Sequence, residues 1–543
     1  MTFLFTLFLS VLITISLIPV FSKLAYNGNV LDLPDERKVH VQPIPRVGGA
    51  AMAAGAMVSV LVWNFGDGFI RAFLAAAAVL VVFGLADDLK TLSPKFKFLG
   101  QIIAALIVVL FGGVEVRTLG ALLPDGALLP TWVAVPLTVV AIIGVTNAIN
   151  LADGLDGLAG GIALLSFCCI GYLAYLEGDI SVGLAALAFI GAIFGFLRFN
   201  THPATIFMGD TGSQLLGFAA ITLSLALTQS RTALSPLLPL ILLGFPVLDT
   251  LTVMITRILR KRSPFSADRN HFHHNLLDLG FHHPESVLVI YVIQTVLALS
   301  AIYLRYYSDW FLLGGYILFS ATVLSIFGMA RKYGWRLKRF DFLDIVIVGR
   351  LKKLRDEGVF IRFLFRTFRA VVPMLLLFTC LIPSQFPVYV AWSAPVIAVM
   401  ILAVWFLRDD RLGVVIRPAL YLLIPFAVYL SETSPAPWFV EPWQTLHNAL
   451  FVVCALHIFL VSKFSRRKEG FRSTPLDFLV LFIVAVFPNL SIGEIQEYRP
   501  GVIAAKIIIL YFSYEVLLAE LRGNFGRVAG MVLLTLMVVL IAK

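Results

Sequence analysis

The sequence predicts an all-α polytopic membrane protein, and three observations carry that prediction. Apolar residues make up 59% of the 543 and charged residues only 14%, with a mean hydropathy of +0.93. An ordinary soluble domain holds roughly 45–50% apolar and about 25% charged residues. The apolar residues fall in continuous runs near the roughly 20 residues that a helix needs to cross a bilayer, not in the alternation of a membrane β-barrel. Basic residues also sort to one side of those runs, as the positive-inside rule requires. This excludes a soluble globular enzyme, a disordered chain and a disulfide-stapled secreted domain. The net charge of +10 reports topology, since no soluble domain with a basic face is present to bind nucleic acid.

Candidate spans fall at 2–22, 47–64, 69–86, 98–111, 131–149, 159–176, 181–197, 212–228, 233–256, 286–304 and 310–330. The first begins Met1-Thr2-Phe3-Leu4 without a basic leader and reads as a retained helix. The fourth is short enough for a re-entrant segment, but charge decides for a crossing. With eleven spans, Lys23, Arg37, Lys38, Arg46, Lys90, Lys95, Lys97, Arg198, Arg257, Arg260, Lys261, Arg262 and Arg269 share one side, while the opposite loops hold only Arg117, Arg231 and Arg305. The N-terminus is therefore expected outside, with the basic loops cytoplasmic in an inner (plasma) membrane.

Residues 331–370 form a basic linker, with twelve Lys and Arg between 331 and 369 interleaved with Phe340, Phe342, Ile345, Ile347 and Val348. It reads either as an amphipathic helix on the membrane surface or as a solvated loop. About seven more spans follow in 371–543, near 371–385, 388–407, 414–430, 446–462, 475–490, 502–521 and 529–542. Cys168, Cys169, Cys380 and Cys454 all lie in apolar runs and read as small buried hydrophobes. Lys506 and Glu515 are charges inside this second block, readable as a packing pair or as part of a separate site.

The chemistry lies in the loops assigned to the cytoplasmic side. Asp87-Asp88 follows the third span, Asn147 to Gly157 the fifth, Phe207-Met208-Gly209-Asp210-Thr211-Gly212-Ser213 the seventh, and Asp268-Arg269-Asn270-His271-Phe272-His273-His274 the ninth. Carboxylate and amide oxygens are hard ligands for Mg²⁺ or Mn²⁺. Such an ion can bridge a diphosphate and neutralise charge during phosphoryl transfer. Arginine and histidine can hold phosphate oxygens. The histidines are also compatible with zinc, although no cysteine is near them. Asp249 lies inside the ninth span, where it either satisfies a neighbouring helix or serves function. A secondary transporter for an anionic solute is the competing class. Transporters favour midplane sites and internal repeats, whereas these polar residues gather at one surface and no repeat is visible.

Residues 1–330 closely resemble the polyprenyl-phosphate N-acetylhexosamine-1-phosphate transferase family. The resemblance rests on Arg37-Lys38-Val39-His40 with Ile44-Pro45-Arg46-Val47-Gly48-Gly49, Gly84-Leu85-Ala86-Asp87-Asp88, Ser93-Pro94-Lys95-Phe96-Lys97-Phe98, the Asn147–Gly157 and Phe207–Ser213 loops, and Pro246-Val247-Leu248-Asp249-Thr250. His271-Phe272-His273-His274 resembles the WecA-like branch rather than MraY. The resemblance implies transfer of a sugar 1-phosphate from a UDP-N-acetylhexosamine to polyprenyl phosphate, with release of UMP, at the start of cell-surface polysaccharide synthesis. It implies Mg²⁺ (or Mn²⁺) at Asp210 and Asn150, catalytic roles for Asp87 and Asp88 on the lipid phosphate, and Lys97 near the phosphates. It implies donor contacts from Asn147, Asp153, Asp156, Arg269, His271, His273 and His274. Partners would be the two substrates and membrane lipids, with no nucleic acid; a homo-oligomer is compatible with the sequence. Many relatives carry a third aspartate where this chain has Thr91. Direct attack by the lipid phosphate and a covalent aspartyl-phosphate intermediate both fit the residues.

Overall fold

A computed structural model describes residues 2–28, 30–32, 43–124, 127–230, 232–263, 271–336, 359–407, 412–464, 500–521 and 525–541. These contain nineteen α-helices and one two-residue strand pair, β1 (Leu31–Asp32) antiparallel to β2 (Ile44–Pro45). Eleven of the helices are long and apolar enough to cross a membrane, so the protein is an all-α multi-pass membrane protein. The described residues divide into two compact units, one ending at 336 and one beginning at 359.

The first unit holds α1 (Thr2–Asn27), α2 (Gly48–Asn64), α3 (Gly68–Lys90), α4 (Pro94–Leu110), α5 (Thr131–Ala152), α6 (Leu158–Leu176), α7 (Ile180–Asn200) and α8 (Gly209–Gln229). It continues with α9 (Leu238–Leu242), α10 (Gly244–Leu259), α11 (Phe272–Asp278), α12 (His283–Tyr303) and α13 (Asp309–Lys332). Local chemistry starts several of these. The Asp67 carboxylate accepts from Phe69 N at 2.8 Å ahead of α3, and Asp179 accepts from Val182 N at 2.9 Å in α7. Pro94 opens α4, where its missing N–H costs nothing. Glu285 reaches back to His282 N at 2.7 Å to start α12.

Helices α6 and α8 form the centre, with 89% and 94% of their spanning windows buried, whereas α13 has 11% and faces outward. Because α8 packs against α3 and α5, and α3 against α4, the C-terminal ends of α3 and α5 meet the N-terminal ends of α4 and α8. That junction is where the polar loops converge.

The ninth span is a correction. The sequence reads as one continuous run over 233–256, but the structure breaks it at Leu243 into α9 and α10. Pro246 has no N–H for the Leu242 carbonyl, and Gly244 weakens the same turn. The exposed Leu242 carbonyl is taken instead by Gln294 Nε2 at 2.7 Å and Ser166 Oγ at 3.1 Å. Non-helical backbone at membrane depth persists where other protein groups satisfy it.

The second unit contains α14 (Val359–Leu381), α15 (Val388–Leu407), α16 (Leu412–Thr433), α17 (Glu441–Phe464), α18 (Pro500–Leu521) and α19 (Gly526–Ile541). The expected span at 475–490 lies outside the described residues, as does most of the linker. The end of that linker is helix rather than loop. α14 begins at Val359, and there Leu364 and Phe368 are buried while Arg366 is exposed, the alternation of an amphipathic start to a span. Lys506 and Glu515 do not pair with each other. Lys506 Nζ lies 2.5 Å from Glu432 Oε1 and 3.3 Å from His447 Nδ1, while Glu515 Oε1 accepts from Tyr421 OH at 2.7 Å. All four cysteines are free and buried.

Candidate active site

The acids of α3 and α8 face each other because a glycine lets the helices touch. A Cβ added at Gly84 would come 2.5 Å from Thr211 Cα and 2.9 Å from Thr211 N, both backbone atoms that cannot yield. One turn further along, Asp88 reaches the start of α8. Its Oδ1 accepts from Asp210 N at 2.8 Å, and its Oδ2 accepts from Thr211 N at 3.1 Å and Thr211 Oγ1 at 2.6 Å. Asp88 thus caps α8 and fixes where Asp210 stands. Asp87 accepts from Leu92 N at 2.6 Å through Oδ1. Carboxylate oxygens of Asp87, Asp88 and Asp210 all lie within 4.8 Å of one another.

This close approach yields a prediction. Gly84→Ala is expected to lower turnover at least about tenfold and to reduce thermal stability, because overpacking of this kind costs about 1–3 kcal/mol and moves the acids apart. Gly144→Ala, whose added methyl meets nothing within 4 Å, is the control. Activity and melting temperature measured on both purified variants check the expectation.

Lys97, expected beside substrate phosphates, sits among the acids. Its Nζ is 2.8 Å from Asp87 Oδ2 and 2.6 Å from Asp210 Oδ2. Asn150 Nδ2 donates to Ser213 Oγ at 2.7 Å and lies 3.4 Å from Asp210 Oδ1. A line of amides runs inward from there. Gln214 Nε2 donates to Asp210 Oδ2 at 3.2 Å, Gln101 Nε2 to Gln214 Oε1 at 3.1 Å, and Asn147 Nδ2 to Gln101 Oε1 at 2.8 Å. Asn147 therefore joins the cluster through two glutamines. Thr211 and Ser213 were read only as members of the Phe207–Ser213 loop, and Gln101 and Gln214 were not singled out from the sequence. The two glutamines carried a readable signal, since buried amides in apolar helices need partners.

The 153–157 loop adds two acids in different states. Burial, with repulsion from Asp210, Asp156 and Asp88, pushes the Asp153 carboxyl up to about 7. Burial works in the same direction on Asp156. However, the hydrogen bond from His202, the nearby His283 and the Ala204 N–H outweigh it and hold Asp156 below the usual carboxylate range. Asp156 Oδ2 is 2.8 Å from His202 Nδ1 and 3.1 Å from Ala204 N, and Asp156 N donates to His283 Nε2 at 3.1 Å. Asp156 fastens this loop to the ends of α7 and α12, through two histidines that sequence reading passed over.

The histidines of α11 lie against the same loop. A Cβ at Gly154 would fall 2.3 Å from His273 Nε2, so only glycine permits this approach. His271 and His273 are buried and stack with centroids 5.7 Å apart and planes 11° apart. Burial, then repulsion from its histidine neighbours, holds His273 down to about 3, so its ring is neutral at physiological pH. Arg269, and with it Asp268, Asn270 and the Arg37–His40 motif, lie outside the described residues. Thr91 ends α3 with φ +44 and donates its N–H to Asp87 O at 2.8 Å.

Three carboxylates against one ammonium leave the acid cluster short of positive charge, and its donors are hard oxygens. The set therefore fits a small divalent cation better than a soft metal. A polar constellation of carboxylates, a lysine and amides at one end of membrane-spanning helices, beside glycine-permitted contacts with a histidine loop, has the donor chemistry of a site for phosphate groups. Comparison with known proteins agrees. Residues 70–228 match the family model described as glycosyl transferase family 4. A probable undecaprenyl-phosphate N-acetylglucosaminyl 1-phosphate transferase of Bacillus subtilis is 37% identical over 328 residues, covering 60% of this chain and 91% of the relative. The undecaprenyl-phosphate alpha-N-acetylglucosaminyl 1-phosphate transferases of Yersinia pestis and Escherichia coli K12 are 31% and 30% identical over 326 residues, covering 59% of this chain and 88% of each relative. The chain belongs to the polyprenyl-phosphate N-acetylhexosamine-1-phosphate transferase family and is a glycosyl-1-phosphate transferase. The transporter reading is set aside.

Proposed function

We propose that the protein transfers N-acetylglucosamine 1-phosphate from UDP-N-acetylglucosamine to undecaprenyl phosphate, releases UMP, and so begins a cell-surface polysaccharide. The observation that carries this reading is the gathering of Asp87, Asp88 and Asp210 within 4.8 Å of one another at one end of the bundle, with Lys97 bridging Asp87 and Asp210. The relatives' names support the acceptor and the sugar phosphate. The basic loops support an inner-membrane orientation with this end in the cytoplasm and the N-terminus outside. There a nucleotide in water and a phosphate on a lipid can meet.

In this reading Asp210, Asp87 and Asp88, with Asn150 beside them, would hold Mg²⁺, and Mn²⁺ could substitute. When bound, the ion supplies charge neutralisation for the donor diphosphate. Lys97 keeps the acids together and presents an ammonium to the phosphates. An oxygen of the lipid phosphate attacks the donor's β-phosphorus. The bond from that phosphorus to the α–β bridging oxygen breaks, and UMP leaves with the bridging oxygen. Both oxygens of Asp87 and of Asp88 are already engaged by Leu92 N, Lys97, Asp210 N and Thr211. That engagement favours direct attack over an aspartyl-phosphate intermediate. Asp153 and the α11 histidines flank the donor, with Asn147 supporting the acids from one turn deeper.

Purified protein given undecaprenyl phosphate and a panel of UDP-sugars tests the donor. UDP-N-acetylglucosamine or a close N-acetylhexosamine relative is expected to release UMP, and UDP-MurNAc-pentapeptide to be a poor donor. Efficient use of the peptide-bearing nucleotide with none of UDP-N-acetylglucosamine would place the protein in the MraY branch.

A further inference from the structure

Asp249 is an acid within the apolar helix α10, only 3% exposed, and the histidine loop takes up both of its oxygens. Oδ2 lies 2.9 Å from His271 Nδ1, and Oδ1 accepts from Phe272 N at 2.9 Å. One side chain therefore grips a ring and the first backbone N–H of α11 together. The Nδ1–H tautomer of the ring is the one that can donate to a carboxylate oxygen at this distance. Nε2 is then the polar atom of His271 that remains for a ligand. The ring orientation set in this way is shared with His273 through the near-parallel stack, and His273 in turn abuts Gly154 beside Asp153.

We propose that Asp249 is a positioning residue for the sugar-nucleotide donor, acting through His271 rather than by touching substrate. This rests on the reading of the histidine loop as the donor contact. A buried acid in a membrane helix is costly unless its partners satisfy it. Here the partners belong to the loop that reads the donor, not to a neighbouring spanning helix. An apolar residue at 249 could fill the same space against α11 but would leave the His271 ring free to rotate or change tautomer. The arrangement thus separates two duties: the acids of α3 and α8 organise phosphate chemistry, and Asp249 fixes one face that meets the donor.

The test is a double-mutant cycle on the full chain, reading UMP release with UDP-N-acetylglucosamine varied at saturating undecaprenyl phosphate, and the reverse. Asp249→Asn is expected to lower kcat/KM for the nucleotide about 10- to 100-fold, leaving the KM for the lipid and the melting temperature close to wild type. His271→Ala should cost about as much, and the double variant no more than either single one. Asp249→Glu should recover part of the loss, and it reports on the site even if the asparagine variant folds poorly. Losses that multiply in the double variant, or a shift in lipid KM instead of donor KM, would overturn the positioning role while leaving the proposed function intact. A wild-type protein that turns over no UDP-sugar would overturn the proposed function and this inference with it.

Discussion

Asp210→Asn is expected to lower UMP release at least about a hundredfold, equivalent to about 2.7 kcal/mol of transition-state stabilisation. The residue is the meeting point of the site. Its Oδ2 takes Lys97 at 2.6 Å and Gln214 at 3.2 Å, its Oδ1 lies 3.4 Å from Asn150, and its own N–H is held by Asp88. Asparagine keeps the shape but removes one negative charge from the cation-binding set and places an amide N–H where the Lys97 ammonium or the ion needs an oxygen. Asp88→Asn is expected to fall as far for a different reason. An amide can accept from only one side, so one of the three bonds that seat the start of α8 is lost, and Asp210 shifts. Both variants are to be compared at equal amounts of monodisperse protein. Near-normal UMP release by Asp210→Asn would remove the acid cluster from the mechanism.

The second large effect is expected at Lys97. Its ammonium is the positive charge found between Asp87 and Asp210, so Lys97→Met leaves the carboxylates facing one another uncompensated. Like charges that close are relieved by a bound cation. The variant should therefore need less Mg²⁺ for half-maximal rate while its maximal turnover drops roughly a hundredfold, the size of effect seen when one preorganised charge is removed from a transition state. A Mg²⁺ titration of initial rates separates the two quantities. Full turnover in Lys97→Met would reduce the lysine to a spacer between acids.

Much of this site was legible because polar side chains are conspicuous in a chain with 14% charged residues. Asp87, Asp88 and Asp210 stood at the ends of apolar runs, and the structure brings them together. Two features stayed hidden for physical reasons. Nothing in the run Leu242–Leu243–Gly244–Phe245–Pro246 distinguishes a proline that continues a membrane helix from one that breaks it. The break at Leu243 depends on Gln294 and Ser166, far along the chain, being there to bind the freed carbonyl. Likewise the choice between satisfying a neighbouring helix and serving function at Asp249 depends on His271, 22 residues away across a loop, and sequence spacing carries no information on that contact. The Asp156 reading differed in kind. A loop acid before glycine reads as a ligand contact, and its sequence neighbours carry no sign that His202 and Ala204 also hold its Oδ2. In the second unit, charge alone nominated Lys506 and Glu515, but which acid a buried lysine meets is decided by helix packing, and α16 supplies Glu432.

The most direct test of the account is a stoichiometric measurement on purified wild-type protein. UMP and lipid-linked sugar are quantified together after mixing with UDP-N-acetylglucosamine, undecaprenyl phosphate and Mg²⁺, and after omitting each in turn. The account predicts one UMP for each undecaprenyl-diphosphate sugar formed, and neither product when acceptor or divalent cation is withheld. UMP released in a single enzyme-equivalent burst without the lipid would contradict direct attack. Full activity in the presence of excess chelator would contradict the assignment of the Asp87, Asp88 and Asp210 cluster itself.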